Sequence, residues 1–333
     1  MTKKKIKHDK SFWERNRQSG GIVLKNWFMN RGISIVRFIL LFGLCFLILQ
    51  PIFNKISVSF MTEHDLYNPV VINIPEQFTT ANYQLAAKLM TYSRSVVNSL
   101  LISLTVSLLQ VAMCLLVGYG FARFEFPLKK FWFFCVVLVI LIPPQTIASS
   151  LYLHFQYFDI FGLIKLATGK TLNLKGSILP YYLMSAGCMG LKSGLYIYMV
   201  RQFFRNIPVD MEEAAYVDGC GMLRTFTRIM LPQAKPIVTS CFLFAFVWQW
   251  TDGFYSKMFL GNIKLVSIEL SRLVDSLGAY IQREVGALTT ISTAYSNCIL
   301  STGTLMIILP IIFLYLIAQR QFVESISSTG IKM

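Results

Sequence analysis

The chain has 333 residues, 55% of them hydrophobic and only 14% charged. A soluble domain carries about 25% charged residues, so the composition argues against an ordinary soluble enzyme and makes lipid the expected solvent. A net charge of +15 points to nucleic acid in a soluble protein, but in a membrane chain loop Lys and Arg set topology, and no nucleic-acid partner is expected.

Residues 1–32 form a basic segment holding Lys3, Lys4, Lys5, Lys7, Lys10, Arg15, Arg17, Lys25 and Arg31. Apolar stretches then predict six spans, at 33–54, 96–121, 131–154, 177–204, 236–256 and 295–318. The runs from Ile33 to Ile52 and from Val96 to Ala122 are each long enough for a helix, which needs about 20 residues to cross the hydrocarbon. Pro51 and Phe53, not a small-residue cleavage site, follow the first run, so it does not read as a removable leader. Arg37 near its start reads as a snorkelling anchor. With residues 1–32 inside, the inner segments hold 18 Lys and Arg and the outer ones 10, which places both termini in the cytoplasm.

Between the spans, 55–95 is a mixed outer loop expected to pack on the outer surface. The third span carries Pro143-Pro144 and the fourth begins near Pro180, which favours a packed bundle with a cavity over a simple anchor. Lys192 lies near the middle of the fourth span. A charge at that depth is costly, so it either lines a pathway, pairing with Asp252 or a carboxylate of another subunit, or caps a half-helix at a break near Gly190. Trp248, Trp250, Phe254 and Tyr255 cluster near Asp252 in the fifth span. They suit the flat faces of a sugar or, alternatively, an interfacial aromatic belt. The seven Cys form no CxxC pair and read as small apolar residues, and the three His are scattered, so no metal site is expected.

The inner loop 205–232 has a helical character of its own. Pro208 can open a helix, and Asp210 suits an N-cap or first turn. Glu212 and Glu213 lie near the positive helix end, and the small Ala214 and Ala215 permit close approach. Gly219 can end this helix, and a second helix from about Met222 to Ile229 is expected to stop at Pro232. A short helix, a sharp turn and a helix suit docking into a groove on a soluble partner; the alternative is an amphipathic loop lying on lipid headgroups.

The pattern Glu213-Ala214-Ala215-x3-Gly219-x9-Ile229-x-Leu231-Pro232 resembles the EAA loop of ABC importer permeases. Several other stretches resemble the carbohydrate subfamily. These are Ile74-Pro75 with Asn82-Tyr83, Asn98-Ser99, Ala122-Arg123-Phe124, Ile142-Pro143-Pro144-Gln145, Arg201-Gln202-Phe203-Phe204 and the tail Gln319-Arg320-Gln321-Phe322-Val323. The likeness covers about residues 70–333 and is nearest to the second permease subunit of maltose-type importers. Two departures are Trp250-Thr251-Asp252-Gly253-Phe254, where the subfamily often has Trp-Asn-Asp/Glu-Phe, and a longer loop 162–178 with Lys165, Lys170 and Lys175.

The resemblance implies an all-α membrane protein of six transmembrane helices with the type I ABC importer permease fold. It comprises a basic N-terminal segment (1–32), a permease domain (33–318) with the coupling helix in 205–232, and a cytoplasmic tail (319–333). It further implies a subunit of the bacterial cytoplasmic membrane that imports a carbohydrate, an oligosaccharide in particular, by alternating access and has no catalytic site. Its implied partners are a second, different permease subunit, two cytoplasmic ATPases that bind ATP and Mg, and an external solute-binding protein. Glu212, Glu213, Ala214, Ala215, Asp218, Gly219, Ile229, Leu231 and Pro232 are expected to engage the ATPase, and Lys192, Trp248, Trp250 and Asp252 to line the pathway. The chain itself has no GxxxxGK[ST] motif and so borrows its ATPase. A permease for another solute class or a passive channel is the alternative. A membrane enzyme fits less well, because the spans hold no paired carboxylates and no nucleophile-base set.

Overall fold

The computed structural model describes residues 17–18, 20–72, 74–160, 162–285 and 291–330, and what it describes is helical. Most of the basic segment 1–32 lies outside the described residues. The first helix, α1 (Ile22–Ser59), is longer than the predicted 33–54 span at both ends. Its apolar window buries nothing against the rest of the chain. Only its C-terminal end is tied in: the Cys298 thiol donates to the Val58 carbonyl at 3.1 Å, and Ser59 shares a 2.8 Å hydrogen bond with Tyr83.

The segment after α1 folds back over this end. The short helix α2 (Glu63–Tyr67) is capped by Thr62, whose hydroxyl accepts from Asp65 N, and α3 (Ala81–Leu89) follows. Buried Asn82 donates to the Ser59 and Met61 carbonyls at 3.0 and 2.9 Å, so the loop is stitched to α1 by its backbone.

The unbroken 32-residue helix α4 (Tyr92–Arg123) matches the predicted 96–121 span. The next predicted span, 131–154, is two helices. α5 (Lys129–Leu141) ends at Ile142, Pro143 starts a 3-10 turn, and the chain resumes as α6 (Ala148–Gln156) after a bend of 100°. Proline has no N–H and its ring crowds the carbonyl four residues back, so two in succession stop the ladder. A hairpin carrying α7 (Leu163–Thr168) is closed by reciprocal Phe158–Leu172 backbone bonds. The predicted 177–204 span is likewise broken, into α8 (Leu179–Ala186) and α9 (Ser193–Asn206).

The inner segment contains α10 (Asp210–Val217), α11 (Met222–Thr225), a π-turn (Phe226–Met230) and α12 (Leu231–Gln233). It leads through a 75° bend into α13 (Lys235–Thr251). The predicted 236–256 span stops early because the Asp252 carboxylate caps a new helix, α14 (Phe254–Leu260). Then come α15 (Val266–Ser271), α16 (Leu273–Val285) and the long α17 (Thr293–Gly330), which contains Pro310. Among the described residues, three helices are long and apolar enough to cross a membrane, and five if each bent pair counts as one span.

Helix α4 lies at the centre and packs most extensively on α9 and α13. Cys114, Cys241 and Cys298 are buried as small apolar groups, whereas Cys45 is exposed on α1. Gly118 lets α4 and α9 touch backbone to backbone: a Cβ there would lie 2.6 Å from Val200 Cγ1 and 3.2 Å from the Ile197 carbonyl oxygen. Val200 is β-branched and the carbonyl is fixed in a helix, so neither can yield easily. Gly118→Val is expected to destabilise the protein by about 1–3 kcal/mol. A lowered midpoint in detergent thermal unfolding checks this, with Gly120→Ala, which meets only Phe124 at 3.7 Å, as the silent control.

Candidate functional site

Two places concentrate polar chemistry: the inner segment around Gly219 and a cavity at the two helix breaks. In the inner segment, α10 starts after Pro208 with Val209 at the cap position. Asp210 supplies no side-chain cap; it sits in the first turn with Glu212 and Glu213, near the positive end of the helix. Gly219, at φ +78°, ends the helix in the left-handed region. Cys220 N bonds the Ala215 carbonyl at 2.9 Å and Gly219 N bonds the Tyr216 carbonyl at 3.0 Å, the paired bonds of a Schellman stop.

The residues expected at this site divide by direction. Glu213, Ala214, Asp218, Gly219 and Pro232 are exposed, Ile229 and Leu231 are half-buried, and Ala215 is buried. Glu212 turns away from the surface. Its carboxylate accepts a 2.8 Å bond from Arg123 Nε, and both side chains are under a tenth exposed. This corrects the grouping of Glu212 with the outward residues, because its charge is already matched inside the chain. Arg123, the last residue of α4, was noted only as part of a family pattern, and no periodicity singles it out.

Pro232 does not stop the second helix as expected. The helical path continues to Gln233 and breaks at Ala234, while the π-turn at Phe226–Met230 contains Arg228, whose carbonyl a proline at 232 would crowd in a regular helix. Widening the turn relieves that clash. Around Gly219 the apolar side chains of Val217 and Leu223 are 87% and 77% exposed, with Val209, Met211, Tyr216 and Met222 also largely uncovered. An apolar patch of this kind marks an interaction surface. The signal available in the sequence was the placing of large apolar residues on both sides of a helix stop.

The second place is a cavity of about 480 Å³, within the size of ligand pockets, where the Ile142–Pro144 break faces the one before α9. Lys192, Trp248 and Asp252 all line it. Lys192 sits at the N-cap position of α9 with φ +61°, and its ammonium lies 5.1 Å from the Trp248 ring centroid, a cation–π contact. The pathway and half-helix readings of Lys192 are therefore compatible: one residue both stands at the break and lines the cavity.

Among the described residues no ion pair joins Lys192 to Asp252. Asp252 is committed locally. Its carboxylate accepts from Tyr181 Oη at 2.6 Å, from Ser256 N and Oγ at 2.9 and 3.2 Å, and from Phe254 and Tyr255 N at 3.1 and 3.2 Å. Trp250, expected in the pathway, is 1% exposed and turned the other way. It stacks on Phe246 and donates to the Ile307 carbonyl at 3.2 Å. It lies on α13 two positions from Trp248, about 200° round a helix, so the two rings face opposite sides.

Gln110, which the sequence did not single out, holds the second break: its amide donates to the Leu191 carbonyl at 2.7 Å and to Ser193 Oγ at 2.8 Å. Among the described residues no group of three His, Cys, Asp or Glu could hold a metal. A cation over an indole in the wall of a largely apolar cavity can bind and orient a hydroxyl-bearing solute. Lys192→Cys and Trp248→Cys are expected to react rapidly with a hydrophilic thiol reagent, and Trp250→Cys to stay within the background of the parent. Labelling rates measured in membranes check the assignment.

The model of the family described as binding-protein-dependent transport system inner membrane component matches residues 114–328, more than half of the chain. The chain is similar to the osmoprotective compounds uptake permease protein GgtD of Synechocystis, 29% identical over 71% of this chain and 73% of that protein. It is also similar to the arabinooligosaccharides transport system permease protein AraQ of Halalkalibacterium halodurans, 24% identical over 92% and 96% respectively. One solved structure, a bacterial ABC transporter that imports the acidic polysaccharide alginate, aligns with a TM-score of 0.64 at 19% identity, covering 88% of this chain and 98% of that one. At that identity the likeness establishes the fold.

Proposed function

The chain belongs to the family of binding-protein-dependent transport system inner membrane components, multi-pass permeases that do no catalysis themselves, and from that premise we propose that it is a carbohydrate-importing subunit, with α10 as its coupling helix. In this reading the bent pair α5–α6 and the pair α8–α9 each form one span, giving six with both termini in the cytoplasm. Residues 1–32 and 319–333 then lie inside, and the 55–95 loop lies outside. A second permease subunit completes the pathway. The apolar face that α1 leaves uncovered is a surface for that subunit or for lipid.

The single observation carrying the coupling assignment is the apolar patch around the Gly219 stop, with Val217 and Leu223 uncovered beside exposed Glu213. Two cytoplasmic ATPases, which bind ATP and Mg, offer a groove for it. Burying Val217 and Leu223 contributes about 1.5–3 kcal/mol each, and Glu213 pairs with a basic residue at the rim. ATP acts on the pathway only through its unequal stabilisation of the inward- and outward-facing states. An external binding protein delivers the solute to the cavity beside Lys192 and Trp248.

The carbohydrate assignment rests on the subfamily patterns of the outer loop and tail, on the AraQ and alginate relatives, and on the cavity's indole and ammonium. A second reading, a different small solute carried by the same machinery, is favoured by the likeness to GgtD. Uptake of labelled oligosaccharides against labelled compatible solutes, in cells carrying the complete transporter, separates the two.

Gly219→Asp is expected to abolish uptake while the chain still accumulates in the membrane. A left-handed residue other than glycine costs about 1–2 kcal/mol in the turn, and the new charge faces the proposed groove. Uptake with a membrane immunoblot is the check, and normal uptake refutes the docking assignment.

A further inference from the structure

The coupling helix is joined to the bundle covalently through α9 on one side and α13 on the other. The structure adds a third, non-covalent joint. Arg123, at the inner end of α4, donates from Nε to Glu212 in the first turn of α10 and from Nη2 to the Ile207 carbonyl just before it, both at 2.8 Å. One guanidinium thus holds both the approach to the coupling helix and its first turn. Above it the Tyr119 ring lies 5.1 Å from Phe204 on α9 and 4.7 Å from Phe226 in the π-turn. The inner end of α4 is therefore held at α9, at the first turn of α10 and at the π-turn.

The same helix carries further polar contacts along its length. Gln110, about 20 Å further along at 1.5 Å per residue, holds the Leu191 carbonyl and Ser193 beside Lys192. About 18 Å beyond, Asn98 donates to the Lys264 carbonyl and the Ser99 hydroxyl accepts from Val266 N, both at 3.0 Å. The close contact at Gly118 removes slack between α4 and α9. An unbroken helix is stiff along its axis. The breaks at Ile142–Pro143 and ahead of Ser193 are where the bundle can give.

We propose that Arg123 is a positioning residue that clamps the coupling helix to α4, so that α4 carries motion of that helix to the cavity through Gln110. The inference rests on the docking reading above. It assigns Glu212 to transmission, not to the ATPase contact. A buried pair is a poor source of net stability, since replacing both charges by neutral groups is often nearly neutral. It is nevertheless a stiff, directional link, because two bonds from one planar group fix distance and angle together.

The test uses the complete transporter in liposomes: this chain, its partner permease, the ATPases and the binding protein. The double variant Arg123→Gln/Glu212→Gln removes both charges together. We expect it to keep its ATPase subunits through purification and to hydrolyse ATP when loaded binding protein is added. Solute moved per ATP is expected to fall at least about fivefold, the low end of ordinary coupling between sites. Arg123→Lys keeps the charge but not the planar fork and is expected to fall less. If the double variant does not accumulate, Arg123→Lys decides by the same ratio. An unchanged ratio overturns the proposal, as does loss of hydrolysis and transport in equal proportion. Loss of the ATPase subunits from the double variant also overturns it, making Glu212 a docking contact. The docking reading fails separately, whatever Arg123 does, if Leu223→Asp leaves the ATPase subunits bound.

Discussion

A backbone carbonyl or N–H left unpaired in an apolar surrounding costs several kcal/mol, and the arrangement of this bundle follows from how two interrupted helical segments escape that cost. Two prolines stop α5, and a left-handed turn at Lys192 separates α8 from α9. Gln110 satisfies the Leu191 carbonyl at the second break, while Ser193 N and Met189 N find the Gly190 and Met184 carbonyls. Irregular backbone is tolerated where it is covered by protein or lines a wet cavity, and here it does both. The cavity lies where the two breaks face each other, so the site and the interruptions have one origin.

The buried and exposed charges show the same economy. Asp252 is satisfied by the start of α14 and by Tyr181, and Glu212 by Arg123. Both carboxylates fix structure. Lys192 rests over an indole at the cavity wall, and Glu213 stands at the surface beside Val217. These two charges are left for something outside the chain. Sorting the ionisable groups by partner separates scaffold from contact surface more sharply than their positions along the chain do.

Helix α1 and the Gly219 patch share a complementary property. Each presents apolar surface that the rest of the chain leaves uncovered: one over a length sufficient to cross a bilayer, the other on a short helical hook. Long α1 suits a lipid or helical neighbour, whereas the hook, bounded by acidic residues, suits a polar-rimmed groove. A subunit of an assembly is expected to expose such surfaces, and a free-standing channel has no need of the second.

Composition and apolar length settle by themselves that this chain lives in lipid, because crossing hydrocarbon requires runs of about 20 apolar residues whatever the fold. The spacing of Pro208, Glu213 and Gly219 was enough to place a short helix and its stop, since helix starts and left-handed stops are local backbone chemistry. The same local rules flagged Pro143-Pro144 as a bend or break and offered a break near Gly190 as one of two alternatives. They could not say that Glu212 and Glu213, adjacent in the chain, face opposite ways, nor that Trp250 turns from the cavity that Trp248 lines. Those directions depend on which neighbouring helix comes close, and Gly118, Arg123 and Gln110 set that closeness across separations of 79 to 89 residues. Side-chain direction is decided by contacts between distant segments, and only the tertiary structure brings those segments together.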